Sequence, residues 1–435
     1  MSRLRTRARF SMLVTMVLAA VTAFDARADA HPESLPDPLT ASAAMAHATR
    51  AHPAFERGRA EVAAAAQQSV VAGAGAPPMI MAGIDKLPLS MHGVDFMVLG
   101  QYGFPLSDVR ERRAEAARRQ GLVGRAALDR LAVDLPADAG LAFVDAWQAE
   151  RRVEALDAAA EVARTALVVA QARVAAGQSG PADVLRAETE LSTLAANRAA
   201  ALFAVRARRA ALAAALGRTA LSETLRIAPE PPVFSELPGA VESDDGASAT
   251  GTPASLAGTG VAEIAVAEAE VEVAQARYGA ELSLQGGAMI STMEAPALVA
   301  MVGVTLPFAG EVRDAATAEA QARLVATRAA ARSAGLAWQQ AVVEAKADLD
   351  AARALRAALS DEVRPRARQA VELLVAAYGA GREGQGALLD AARALAELDA
   401  RLVDAHADVA RRQLRWARVR APAAAEAGRA PEVSP

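Results

Sequence analysis

Ala176-Gly177-Gln178-Ser179-Gly180-Pro181-Ala182-Asp183-Val184-Leu185-Arg186-Ala187 recurs as Ala380-Gly381-Arg382-Glu383-Gly384-Gln385-Gly386-Ala387-Leu388-Leu389-Asp390-Ala391. In both stretches a glycine-rich break separates two alanine-rich apolar runs, the pattern of one helix turning tightly into another. A second pair of landmarks, Phe104-Pro105-Leu106-Ser107-Asp108-Val109-Arg110-Glu111 and Leu306-Pro307-Phe308-Ala309-Gly310-Glu311-Val312-Arg313-Asp314, differs by one inserted residue and lies at nearly the same distance from the first pair. Chance similarity between alanine-rich segments would not hold that spacing, so the chain reads as a tandem repeat.

Each half then predicts a helix, two strands, a very long helix, a tight turn and a returning helix. The leading helices are expected at about 40–73 and 261–278, the long ones at 107–176 and 310–378, and the returning ones at 182–216 and 386–420. At 1.5 Å per residue the long helices extend roughly 100 Å, too far for a compact domain. Pro136 and Gly140 predict kinks or local breaks in the first and Pro365 in the second. Leu388, Leu395, Leu402, Val409 and Trp416 recur every seventh residue, the seam of a coiled coil. Val184, Leu191, Val205 and Leu212 keep that spacing in the first half, interrupted by Arg198.

Ahead of each long helix, at about 78–104 and 280–307, the period changes to two. Leu282, Leu284, Gly286, Ala288 and Ile290 alternate with Glu281, Ser283, Gln285 and Gly287. Phe96, Val98, Tyr102 and Phe104 alternate with Asp95, Gln101 and Gly103, and Leu298, Val302, Val304 and Leu306 with Met301, Gly303 and Thr305. Such amphipathic strands suit a soluble sheet with one buried face or a membrane barrel with lipid outside and water within. Four strands cannot close a barrel, so several copies would have to contribute.

Residues 1–30 read as a signal peptide: Arg3, Arg5, Arg7 and Arg9 precede an apolar run and small-residue cleavage sites after Ala28 or Ala30. Read as a membrane anchor instead, that run is shorter than a spanning helix needs. Residues 31–226 form the first repeat, 227–258 a flexible connector rich in Pro, Gly, Ser and Asp, 259–421 the second repeat, and 422–435 a disordered tail. The chain has no cysteine, which excludes disulfides and the acylated cysteine of a lipoprotein. Net charge is −4 with mixed signs, against a nucleic-acid partner, and runs such as 206–209 read as solvated helix faces. Aromatic residues make up only 3%, which favours long, closely packed helices.

Catalysis finds little support. The five histidines are scattered, and in Asp404-Ala405-His406-Ala407-Asp408 the acids lie off the imidazole's helical face. His47 and His52 are spaced poorly for a helical metal pair and read as surface residues. There is no P-loop, and no cofactor is called for. Met79, Met81, Met91, His92 and Met97 around the first strand pair, and Met289, Met293 and Met301 around the second, can be read as soft ligands for Cu(I) or as filling for strand faces and loops.

These features together resemble the TolC-like outer-membrane efflux proteins over nearly the whole mature chain. The stretch Ala377-Tyr378-Gly379-Ala380-Gly381, running into 388–395, is similar to that family's second tip turn. Residues 174–187 are similar to the first, and Ala51-His52-Pro53-Ala54-Phe55 stands where members carry Asn-Pro. The resemblance implies a mainly α fold with a small β part. Three copies would form a twelve-stranded outer-membrane barrel continued by a periplasmic α-helical tunnel. It further implies a passive exit duct for metal cations or drugs, and not an enzyme. Its partners would be a periplasmic adaptor, an inner-membrane pump of the resistance-nodulation-division type and outer-membrane lipid. Pro78-Met79-Ile80-Met81 and Asp85-Lys86-Leu87-Pro88 resemble heavy-metal members.

By position, Tyr378 and Asp183 would form a hydrogen-bonded constraint on the channel entrance, and Asp390 a carboxylate ring biased towards cations. Gly177, Gln178, Ser179, Gly381, Arg382 and Glu383 would be the tips that meet the adaptor. Ala387 stands where some members carry another acid. From the residues alone, Asp183 reads equally as a helix cap and Asp390 as an exposed helix face. A periplasmic coiled-coil adaptor or scaffold is the alternative class, although it needs only one helical hairpin.

Overall fold

The computed structural model describes residues 35–75, 77–86, 95–221, 225–234, 254–291, 295–306 and 310–420. The signal peptide, the tail, Met91, His92, Met293 and residues 235–253 of the connector lie outside the described residues. In chain order the elements are α1 (Ala41–Ala51), α2 (Pro53–Gly73), β1 (Met79–Lys86), β2 (Asp95–Pro105), α3 (Val109–Ala175) and α4 (Pro181–Ala215). They are followed by α5 (Ala254–Ala276), β3 (Glu281–Ser291), β4 (Ala297–Thr305), α6 (Gly310–Ala357), a π-helical segment (Ala358–Val363), α7 (Arg364–Gly379) and α8 (Gln385–Arg420).

The leading helix expected at 40–73 is two helices. Pro53 pushes its predecessor out of the helical region, and His52 is extended at φ −74° and ψ 129°. Its Nδ1 accepts from the Ala54 N–H at 3.1 Å and caps α2. His47 is 4% exposed, so its reading as a surface residue fails, while His52 is half-buried.

α3 is the axis of the fold, with α1, α2, α4, α5 and α8 all packed along it. It forms one helix of 67 residues through Pro136 and Gly140, where kinks or local breaks were expected, so no break occurs there. The cost of an interior proline, about 3 kcal/mol, is offset by burial, because Pro136 leads into the largest core. In that core Phe143, Val144 and Trp147 meet Met45 of α1, Leu212 of α4 and Leu414 of α8. Gly140 is closely packed there: a Cβ would lie 3.0 Å from Leu414 and 3.1 Å from the Met45 sulfur, so both side chains would have to shift.

Ile227 and Phe234, expected in a flexible connector, are buried in the same core. Leu39 and Ile227 form a parallel bridge, Trp147 Nε1 donates to the Pro229 carbonyl at 3.1 Å, and Phe234 N–H donates to Gln413 Oε1 at 3.1 Å. Arg209, expected to be solvated, turns inward to donate to the Leu225 carbonyl.

The second long helix does break near its proline. Pro365 has no N–H to give, and the π-helical segment ends just before it, with Pro365 in the first turn of α7. On α8, Leu388, Leu402 and Val409 of the heptad seam are buried and Leu395 and Trp416 half-buried. On α4 only Leu212 of the corresponding seam is buried, with Val184, Leu191 and Val205 half-buried.

The four strands form one antiparallel sheet in the order β1-β2-β3-β4. β1 and β4 are its free edges. The register aligns one apolar face across all strands: Ile84 faces Phe96, Phe96 faces Ile290, Tyr102 faces Leu284, and Leu284 faces Val302. No helix packs extensively against the sheet. That apolar face is therefore uncovered, with Leu298 91% and Val302 71% exposed. On the opposite face Leu99, flanked by Met97 and Gln101 and opposite Met81, is only 3% exposed.

Candidate functional site

Two places carry functional geometry: the pair of helical turns at one end and the sheet at the other. Each turn is closed by the same hydrogen bonds. At the first, Gly177 N–H donates to the Val174 carbonyl at 3.0 Å and Gln178 N–H to the Arg173 carbonyl at 2.8 Å. At the second, Gly381 N–H donates to the Tyr378 carbonyl at 3.0 Å and Arg382 N–H to the Ala377 carbonyl at 2.9 Å. These are Schellman caps, which need a left-handed residue, and Gly177 and Gly381 supply it at φ +68° and +69°. Gly177, Gln178, Gly381, Arg382 and Glu383 are exposed at the tips and Ser179 is half-buried.

Arg173 joins the two turns. Its carbonyl belongs to the first cap, while its Nη1 donates to the Tyr378 carbonyl at 3.0 Å and its guanidinium lies 4.6 Å from the centre of the Tyr378 ring. Tyr378 is 1% exposed and packs with Ala166 of α3 and Leu388 and Leu389 of α8. The expected hydrogen bond between Tyr378 and Asp183 is not formed, since the phenol hydroxyl has no hydrogen-bond partner among the described residues. Tyr378 instead engages Arg173 through its ring and its carbonyl. Burial pushes the Tyr378 pKa up, the Arg173 charge opposes this, and the nearby Asp183 carboxylate adds to the rise. Asp183 is half-buried in the first turn of α4, where Gly180 is the N-cap, so Asp183 is not the cap residue. A carboxylate there still suits the positive end of the helix.

Asp390 projects from α8 with its side chain 76% exposed, 3.4 Å from Arg393 Nη1. Arg393 is shared: its Nε donates to Glu190 of α4 at 3.0 Å, tying the two returning helices together. Arg173, Arg393 and Glu190 were not singled out from the sequence. Their partners lie about two hundred residues away, and the only local sign was Arg173 standing where the second turn has Ala377.

The acids flanking His406 serve packing. Asp404 accepts from Gln148 Nε2 at 2.6 Å and from Arg152 Nε and Nη2 at 3.0 and 2.9 Å, while Asp408 accepts from Arg411 at 3.0 Å. His406 Nδ1 lies 2.8 Å from the Leu402 carbonyl. Partial burial works against ionisation of Asp404, but the hydrogen bonds from Arg152 and Gln148 outweigh it and lower its pKa. Among the described residues no cluster of His, Asp or Glu is arranged to hold a metal ion.

On the sheet, Met79, Met81 and Met97 of the sequence-predicted set all lie on the face opposite the uncovered apolar one, together with Met289 and Met301. They share it with Gln101, Gln285, Ser283 and Glu281. One side of the sheet is thus apolar and open, and the other is mixed in character.

No family model matches the sequence, and no curated protein matches it in sequence. Solved structures do match the fold, over nearly the full length of both chains. CusC, whose structures concern folding and transmembrane channel formation, is 13% identical with a TM-score of 0.73, covering 88% of this chain and 92% of its own. The CmeC outer membrane channel of Campylobacter jejuni is 12% identical with a TM-score of 0.70, covering 87% and 85%. The open state of the MtrE outer membrane channel of Neisseria gonorrhoeae is 18% identical with a TM-score of 0.68, covering 89% and 90%. The chain therefore has the TolC-like outer-membrane channel fold.

Proposed function

We propose that this chain is the outer-membrane exit duct of a tripartite efflux system, a conduit and not an enzyme. The observation that carries the reading is the four-stranded sheet with an uncovered apolar face and two unpaired edges. In water both features are liabilities. In a bilayer the apolar face meets lipid, and the edges are satisfied when β4 of one copy pairs with β1 of the next. Three copies of four strands would complete a twelve-stranded barrel. The chain would enter the outer membrane after loss of its signal peptide and be held there by the barrel alone, without a lipid anchor.

The helices, running away from the sheet in two hairpins, would then line a periplasmic tunnel. The repeated element order supports descent from a duplicated unit. The tips at Gly177, Gln178, Ser179, Gly381, Arg382 and Glu383 would meet a periplasmic adaptor, which links the duct to an inner-membrane pump of the resistance-nodulation-division type. Asp183, Tyr378 and Asp390 lie just behind the tips and would set the width and charge of the entrance. A periplasmic adaptor or scaffold is less well supported, because such a protein has no use for an exposed apolar sheet face.

Cell fractionation with native mass determination tests this. The expected result is a trimer in outer-membrane fractions that opens single channels in a planar bilayer. Recovery as a soluble monomer would reject the duct.

A further inference from the structure

The methionines of the sheet are sorted by face. Successive rows on the mixed face are Met79-Gln101-Gln285-Met301, Met81-Leu99-Gly287-Val299 and Gly83-Met97-Met289-Ala297. The apolar face, where a flexible hydrophobic side chain would be most at home, has no methionine at any described position. The sulfurs are therefore not filling for a lipid-facing surface. Met79 and Met301 flank Gln101 and Gln285, whereas Met81, Met97 and Met289 lie in the next two rows beside Leu99, Gly83 and Gly287.

Within that face Met97 stands directly opposite Met289, and Met81 is the diagonal neighbour of Met97 across the β1–β2 pair. Direct cross-strand neighbours place their Cβ atoms about 5 Å apart and diagonal ones about 7–8 Å. A methionine side chain with three rotatable bonds spans such gaps readily. Met97 and Met289 are half-buried and Met81 is 38% exposed, so the group is accessible from the mixed face and backed by the sheet. Three neutral thioethers form a soft donor set, which favours monovalent copper or silver over hard divalent cations. The chain contains no cysteine, so these thioethers have no thiolate to compete with them.

We propose that Met81, Met97 and Met289 form a binding site for soft monovalent cations, Cu(I) and Ag(I), on the inner wall of the barrel. The placement on an inner wall rests on the exit-duct reading above; the donor set itself does not. In a conduit such a site would serve as a stepping point for cargo ions near the outer end of the duct. Its neutral ligands hold a cation without the charge that would trap it.

The test uses the full-length protein purified in detergent, with Ag(I) as the probe in chloride-free buffer. The wild type is expected to retain silver through desalting. The M81L/M97L/M289L variant, similar in volume, is expected to lose it while keeping the circular dichroism spectrum and thermal midpoint of the wild type. Silver retained by the triple variant, through loop methionines or any other group, would overturn the site, as would a conducting wild type that binds none. X-ray absorption of the silver-loaded wild type reads the ligands without a variant. A sulfur shell must come from methionine in this cysteine-free chain, and a shell of oxygen or nitrogen alone refutes the assignment. Silver held by these methionines in a protein that opens no channel would uphold the site and sink the duct.

Discussion

Arg173 and Tyr378 are 205 residues apart in sequence and stacked in space, with the guanidinium 4.6 Å from the ring centre and Nη1 bonded to the Tyr378 carbonyl. One side chain thereby spans the caps of both helical turns. A cation over an aromatic ring and a charge-assisted hydrogen bond together contribute about 1–3 kcal/mol. Arg173→Met should loosen the junction and raise the resting conductance in planar-bilayer recordings. Tyr378→Phe keeps the ring and the carbonyl and removes a hydroxyl that has no hydrogen-bond partner among the described residues, so its conductance should match the wild type. A large effect of Tyr378→Phe would restore the hydroxyl to a gating role.

Asp390 does not act as an isolated charge, because Arg393 lies 3.4 Å away and is itself claimed by Glu190. Replacing Asp390 by Ala should lower cation preference, and replacing Arg393 by Ala should raise it. Reversal potentials in a salt gradient read both, and two unchanged values would remove this pair from the conduction path.

At the tips, nothing lies within 4 Å of a Cβ built on Gly177 or Gly381, so a substitution there is felt only through the backbone. Alanine at either position should destabilise its turn by about 1–2 kcal/mol, with asparagine milder. Hydrogen exchange at the Gln178 and Arg382 amides, which close the two caps, should quicken accordingly.

Asp404 gives a pH dependence of known sign. Its folded-state pKa lies below the ordinary carboxylate value of about 3.9, so its stabilisation is complete above that value and disappears as pH falls through the lower one. Asp404→Asn should be less stable than the wild type at neutral pH and lose less on acidification. Acid unfolding followed by circular dichroism distinguishes the two, and parallel curves would count against the pairing with Arg152.

The two faces of the sheet should respond in opposite ways to one change. Val302→Arg puts a charge on the open apolar face, which costs about 2–4 kcal/mol in the middle of a bilayer. The mixed face should accept Ser283→Arg with normal recovery in outer-membrane fractions. Equal recovery of both variants would deny that the apolar face meets lipid.

What the sequence made legible was whatever depends on neighbours in the chain. The two tip turns follow from a glycine at the left-handed position, the strand faces from alternation, and the α8 seam from its seventh-residue spacing. The misses depend on distant partners. Pro136 stays helical because Phe143 and Trp147 anchor α3 in a core assembled from four other segments. Ile227 and Phe234 looked like linker because they sit beside polar residues, yet Leu39 and Gln413 hold them in place. His47 was read as exposed because the apolar partners of α1 come from elsewhere in the chain. Around the second turn, the resemblance pointed to Tyr378 and Asp183 but not to Arg173, whose contacts with Tyr378 only the folded chain brings together.

The unlike edges of the sheet also bear on genetics. If β4 of each copy must pair with β1 of another, every subunit is at once donor and acceptor, and a ring has no place for a member that can do only one. A copy blocked at a single edge would enter assemblies and leave them unclosed, spoiling the intact copies it joins. Such an allele would be dominant over the normal gene even though its product had lost an ability and gained none.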